Sequence, residues 1–264
     1  MLEPSIVYGI VLKHLQSMAY EHSHHQQRSS GIPQSVTTEG RGGRSRLRPL
    51  GSIIVSRIRP RAPVHTARVT VLFADLRGYT GMAERLPAAR VVPLLDEFFR
   101  TLASAVEKSG GTVFHMAGDG MMAGFGVNQE HASGAHEALS AGHAMLQAFV
   151  PVAARWRSEL SIDAGIGIGL HFGEVAVGAL GPSRHKRTTL VGDTVNVAAR
   201  LCSRARAGEV LFSCTVAAAL KSDASAASDV AGAKPFLQLP QFELRGRRGP
   251  IDIWCVPAPE RLAL

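Results

Sequence analysis

From Arg68 onward the chain alternates period-two, β-branched segments with segments of helical spacing, in an order that leaves few folds open. RVTVLFAD alternates and is rich in β-branched residues, which predicts a strand ending at Asp75. LRGYTGMAERLP turns into a helix. Pro87 stands where a second helix begins, carrying Val91, Val92, Leu94, Leu95, Phe98, Phe99, Leu102 and Val106 to about Lys108. Gly110-Gly111 stops it, and TVFHMAGDGMMAGFG follows as two short strands around Gly118-Asp119-Gly120, because Asp-Gly is strong hairpin chemistry. Residues 130–158 are Ala-rich and helical, ending near Trp156. IDAGIGIGLHFGEVAVGALG is predicted as a long strand pair whose glycines mark close backbone approach or bends. RHKRTTLVGD reads as an exposed basic strand, and TVNVAARLCSRA as a helix with Asp193 or Thr194 near its N-cap. GEVLFS is a further strand, a helix covers about 215–221, and PFLQLPQFELRGRRGPIDIWCV closes as a hairpin. Hairpins mixed with βαβ crossovers predict an α+β fold, a ferredoxin-like sandwich with helices packed on a mixed sheet.

The bulk properties assign the rest of the chain to an appendage. A length of 264 residues holds one full domain plus a leader, not two large domains. Residues 1–66 are expected to be a basic, largely disordered leader and 67–257 the folded domain. Nine of the Lys and Arg residues, Lys13 to Arg61, stand in the leader against Glu3, Glu21 and Glu39, so most of the formal +8 charge resides there. Scattered apolar positions over 5–20 fit one short amphipathic helix, and about 21–51 is polar, Gly/Ser/Arg-rich linker. A basic leader is compatible with nucleic acid or anionic lipid. Without aromatic interleaving or a motif, a solvated tail is the better reading, so nucleic acid is not an expected partner. His22, His24 and His25 lack the carboxylates or thiols that would make a metal clip of them. Cys202, Cys214 and Cys255 are widely spaced, which excludes a CxxC zinc or redox site and fits buried thiols. No run of about 18 apolar residues predicts a transmembrane helix. The first 20 residues lack a basic n-region and cleavage site, so the expected location is cytoplasmic.

The chemistry concentrates on two aspartates, Asp75 at a strand end and Asp119 in a hairpin turn. Two carboxylates meeting at one sheet edge supply the hard oxygens that Mg²⁺ or Mn²⁺ needs for phosphate chemistry. Each also has a plainer reading on its own, Asp75 as a helix cap and Asp119 as turn chemistry.

Their flanks carry more. FADLRGYT, GDGMMAGFG and VGDTVNVAAR, in this order, resemble the class III nucleotidyl cyclase family, adenylate and guanylate cyclases whose catalytic domains carry these three motifs. The resemblance covers about Arg68 to Val256. It implies metal-dependent cyclisation of a purine nucleoside triphosphate to its 3′,5′-cyclic monophosphate, with two divalent ions at Asp75, Asp119 and the Leu76 carbonyl. Phe73, Gly78 and Thr80 match positions shaping the loop over the phosphates, and Asn196 and Arg200 match the pair that orients the ribose and stabilises the α-phosphate. The family's active site forms between two domains arranged head to tail, so a homodimer is expected and a lone monomer should be inactive.

Base recognition departs from the family pattern. His115 stands four residues before Asp119, where adenylate cyclases usually carry Lys and guanylate cyclases Glu. Thr189, seven before Asn196, fits the adenylate pattern and tilts the expectation to ATP. Histidine can donate or accept, which leaves a guanylate or relaxed-specificity cyclase as the alternative. A non-catalytic, nucleotide-sensing module is a further alternative, disfavoured because both aspartates are present. For the terminal phosphate the candidates are Lys186, Arg187 and Arg245, of which Arg245 best matches the family position.

Overall fold

A computed structural model of the chain describes residues 64–127, 133–182, 186–222, 236–243 and 249–256. The leader and linker, His22, His24, His25 and Arg245 lie outside the described residues. The chain runs β1 (His65–Arg77), α1 (Tyr79–Arg85), α2 (Ala88–Lys108), β2 (Thr112–Ala117), β3 (Gly120–Phe125), α3 (Ala135–Leu160) and β4 (Gly165–Leu180). It continues with β5 (Arg187–Val191), α4 (Asp193–Arg204), β6 (Val210–Ser213), α5 (Cys214–Ser222), β7 (Leu237–Phe242) and β8 (Ile251–Val256).

The strands form one mixed sheet in the order β2-β3-β1-β4-β6-β8-β7, with β5 paired to β4 off this path. Only β4 and β6 run parallel among these pairs, joined through α4. This is the expected α+β sandwich. Pro87 occupies the N-cap of α2 with φ near −56°, preset for a helix start, and Gly110 at φ +76° follows its end.

Period-two alternation along β1 sorts its side chains between two layers. Leu72, Ala74 and Leu76 enter the main core beside Phe98, Leu102, Phe149 and Trp156 from α2 and α3. There Phe149 meets Phe98 and Trp156 edge-on at 5.6 and 5.4 Å. Val69, Val71 and Phe73 face the other way, into a cluster with Phe114, Met122, Val175, Val177, Leu190 and Ala198. Helix α4 packs on this second face.

Two sequence expectations are corrected. The stretch predicted as a strand pair is the single 16-residue strand β4, because it pairs continuously with β1 from Gly165 to Val177. Its glycines do not turn the chain; they let a helix close on it. A Cβ on Gly169 would stand 2.8 Å from the Cys202 Cα, and one on Gly165 3.3 Å from the Ala207 Cα. Likewise β1 does not end at Asp75. Its ladder with β4 continues through Leu76↔Ile166 to Arg77↔Gly165, and buried Leu76 fixes that register. Among the described residues no helix is long and apolar enough to cross a membrane.

The contact of α4 with Gly169 is backbone on backbone, so it has little room to relax. Gly169→Ala is expected to push α4 off the sheet and to destabilise the fold by about 1–3 kcal/mol. Chemical denaturation should show this, whereas Gly81→Ala, which meets nothing within 4 Å, should leave stability nearly unchanged.

Candidate active site

Three of the expected site residues converge where β1 passes beneath the β2–β3 hairpin. Asp75 pairs in register with Gly120, and the Leu76 N–H donates to the Asp119 carbonyl at 3.0 Å. The turn carries Gly118 at φ +59°, a left-handed conformation that glycine adopts without steric cost. Asp75 is no helix cap, since Gly78 is the N-cap of α1. Its Oδ1 faces the turn, 3.6 Å from where a Gly120 Cβ would stand. Its Oδ2 accepts a charge-assisted hydrogen bond from Arg77 Nη1.

Electrostatically Arg77, the cation paired with Asp75, does not balance the cost of burying this edge. Burial, reinforced by the nearby Asp119 carboxylate, pushes the Asp75 carboxyl up to about 6, with Arg77 pulling the other way. Burial also raises Asp119. The donor set is two carboxylates and the main chain at Leu76; among the described residues no three His, Cys, Asp or Glu side chains gather into a metal cage. Such a set fits a hard divalent ion that keeps several waters or takes substrate oxygens to complete its shell.

Arg77 was missed by sequence reasoning. Ending the strand at Asp75 hides the fact that positions 75 and 77 share a face, which the period of two would have revealed. Besides Asp75, its guanidinium binds the last turn of α4, with Nε donating to the Ala205 carbonyl at 3.0 Å and Nη2 to that of Cys202. Gly167 makes room for it, since a Cβ there would fall 2.7 Å from Arg77 Nε.

His115 reaches the same face through a backbone irregularity. The β2–β3 register shifts between Val113 and His115, a β-bulge at Phe114. Val113 pairs with Ala123 and leans on the main core, whereas His115 pairs with Met122, on the side of Phe73 and Asp75. Without the extra residue, alternation would have turned His115 under α2 and α3. Phe73 is half-buried beside Phe114 and Met122, and Gly78 and Thr80 are exposed at the start of α1. Gly78 sits at φ +89° against the Asp163 carbonyl.

The remaining expected residues lie elsewhere in the chain. Thr189 is half-buried on β5 opposite Gly178 and alternates with Leu190, whose side chain packs toward Gly124 and Phe114. Helix α4 buries Thr194, Val197, Ala198, Leu201 and Cys202 against the sheet. Asn196 and Arg200, one turn apart, stand on the opposite face, with Asn196 exposed. Within one chain, then, they point away from the layer that holds Asp75. Gly192, not Asp193 or Thr194, occupies the N-cap; the Thr194 hydroxyl instead donates to the Glu174 carbonyl at 2.7 Å. Lys186 and Arg187 are exposed at the start of β5. The three thiols are free, and burial pushes Cys202 up to about 12, which leaves it without nucleophilic character.

Comparison with known proteins points to one family and its fold. The model of the adenylate and guanylate cyclase catalytic domain family matches residues 63–253. An adenylate cyclase of Anabaena cylindrica is 32% identical over 144 residues, 52% of this chain and 27% of that protein. The chain spans about a quarter of the length of the curated relatives it matches. The crystal structure of the adenylyl cyclase CyaB from P. aeruginosa superposes with a TM-score of 0.67 at 27% identity, covering 76% of this chain and 98% of that one. The guanylyl cyclase Cya2 gives 0.63 at 28% identity with the same coverage. The motifs, the sheet that carries them and these matches agree that the chain belongs to the adenylate and guanylate cyclase catalytic domain family.

Proposed function

We propose that the chain cyclises a purine nucleoside triphosphate, preferentially ATP, to its 3′,5′-cyclic monophosphate in composite sites formed between two copies arranged head to tail. The observation that carries this reading is the separation of the site into two halves on opposite sides of α4. One half is the acidic edge of Asp75, Leu76 and Asp119. The other is the outward pair Asn196 and Arg200. Each half lacks what the other provides, and a two-fold axis supplies it.

Cyclase catalytic domains generally use divalent ions, and two such ions held at Asp75, Asp119 and the Leu76 carbonyl would acidify the ribose 3′-hydroxyl and neutralise the triphosphate. The protein's own groups do the rest. Arg200 donates to the α-phosphate oxygens as charge gathers there, and Asn196 orients the ribose so that the 3′-oxygen lies in line with the scissile bond. The N–H groups of the first turn of α1, beyond Gly78, have no intrahelical acceptors and are available to phosphate oxygens, with Phe73 and Thr80 shaping that loop. His115 and Thr189, carried by β2 and β5, which touch within one chain, read the base edge together, and Arg245 pairs with the terminal phosphate. The Thr189 hydroxyl donates or accepts, and a neutral His115 presents one donor, which suits adenine N1. Cya2, a guanylyl cyclase, is about as similar as CyaB, so guanylate activity is the second reading, with the choice resting on His115.

The carboxylate pair is also an electrostatic liability in the metal-free fold, as expected of a site shaped for function. Four outcomes test the reading. With Mg²⁺ or Mn²⁺, Asp75→Ala and Arg200→Ala chains should each lose about 10²–10³-fold or more in turnover. An equal mixture should recover about a quarter of wild-type activity, because half the dimers then hold one intact site; no recovery in a verified heterodimer would sink the composite site. His115→Lys should raise the ATP/GTP ratio of kcat/KM by about tenfold, and an unchanged ratio would remove His115 from base reading. In chelator, the raised Asp75 pKa contributes stability that is fully present below about 3.8 and is lost as pH rises through about 6. Asp75→Asn should therefore melt about 2–4 °C above wild type at pH 7.5, a gap that closes by pH 4 in thermal scans.

A further inference from the structure

The two oxygens of Asp75 have different neighbours, and the division follows from the fold. Oδ1 faces the β2–β3 turn that carries Asp119, while Oδ2 is held by Arg77 Nη1. The guanidinium is itself fixed. Its Nε and Nη2 are committed to the Ala205 and Cys202 carbonyls at the end of α4, where a cation also complements the helix dipole. Its plane fills the gap left by the missing side chain of Gly167. Three donors of one rigid fork thus span β1 and α4, and the side chain is three-quarters buried.

We infer that Arg77 is a positioning residue for metal binding: by occupying Oδ2 and being tied to α4, it holds the Asp75 carboxylate with Oδ1 presented to Asp119 and an incoming divalent ion. The inference rests on the proposed role of Asp75 and adds to it a residue that touches neither substrate nor ion. A carboxylate free to rotate would have to lose that freedom on binding the ion; one already oriented by a neighbour does not. The positive charge of Arg77 opposes a nearby cation, so geometry and electrostatics predict opposite signs for its removal. Because the guanidinium engages Oδ2, while Oδ1 is the oxygen beside Gly120 of the turn, geometry prevails. A lysine in its place keeps the charge and can still donate to Asp75, but its single nitrogen cannot also span both α4 carbonyls.

The test uses the full chain, nucleotide-free, titrated with Mn²⁺ alone and followed by electron paramagnetic resonance. Asp75→Ala should abolish the site. Arg77→Met should weaken Mn²⁺ binding about tenfold and broaden the bound-ion spectrum as the ligand geometry loosens, and Arg77→Lys, which keeps the donor to Oδ2 but loses the tie to α4, should recover only part of the affinity. Arg77→Lys also serves as the folded variant should Arg77→Met be unstable. A merely structural role would lower the melting temperature and leave the affinity of the folded fraction and its spectrum unchanged. Unchanged or tighter binding by Arg77→Met in an Asp75-dependent site overturns the inference and leaves the site reading standing. Equal Mn²⁺ binding by wild type and Asp75→Ala overturns both. In mixed dimers of an Asp75→Ala chain with an Arg200→Ala chain, Arg77→Met should raise the Mn²⁺ needed for half-maximal turnover only on the chain whose Asp75 is intact. The reverse dependence would assign Arg77 to α4 alone.

Discussion

The close approach of α4 to β4 is the contact on which the rest of the molecule depends. Gly165, Gly167 and Gly169 lie on one face of the strand, and at each a Cβ would intrude on the helix, the segment after it, or the Arg77 side chain between them. Removing three side chains from a strand costs β-propensity and packing area. The fold recovers it by seating Val197, Ala198, Leu201 and Cys202 directly on the sheet backbone. That seating fixes the rotation of α4. It thereby fixes which residues look outward, and Asn196 and Arg200 are among them.

The acidic edge follows from the same arrangement. Asp75 and Asp119 are brought together by sheet register and by one backbone hydrogen bond, not by attraction between themselves. The Asp119 carboxylate adds to the burial cost of ionising Asp75, and Arg77 offsets part of the cost at both carboxyls. A fold selected for stability alone would place an apolar or neutral residue here. Positive charge is instead favoured beside Asp75 and Asp119, on the side toward the hairpin turn.

Much of this was legible in the sequence because the signals are local. Pro87, the Gly110-Gly111 stop, the Asp-Gly turn and the period-two run of β1 gave the order of elements from Arg68 onward. The three motifs placed the acidic pair and the Asn/Arg helix on their correct elements. What was not legible depends on partners distant in the chain. The glycines of β4 looked like bends because glycine is ambiguous until the helix packed on it is known. The bulge at Phe114 turns His115 by one face, and no residue type announces it. Arg77 was overlooked since its importance lies in carbonyls 125 and 128 residues away.

Arg77 also ties together two parts of one chain that the proposed dimer assigns to different sites. Asp75 would serve one composite site, while Asn196 and Arg200, carried by the helix whose end Arg77 grips, would serve the other. A displacement of the Asp75 carboxylate is therefore opposed by hydrogen bonds to α4, and a tilt of α4 is opposed at Asp75. The compliance of this link is low, because the guanidinium is planar and its slot is bounded by backbone at Gly167 and Ala205. In a symmetric pair of chains such links close a mechanical circuit: site, strand, arginine, helix, second site, and back through the partner. A dimer built this way presents its two halves to substrate as one preorganised frame, which is the condition under which fixed donors act on charge that develops only in the transition state.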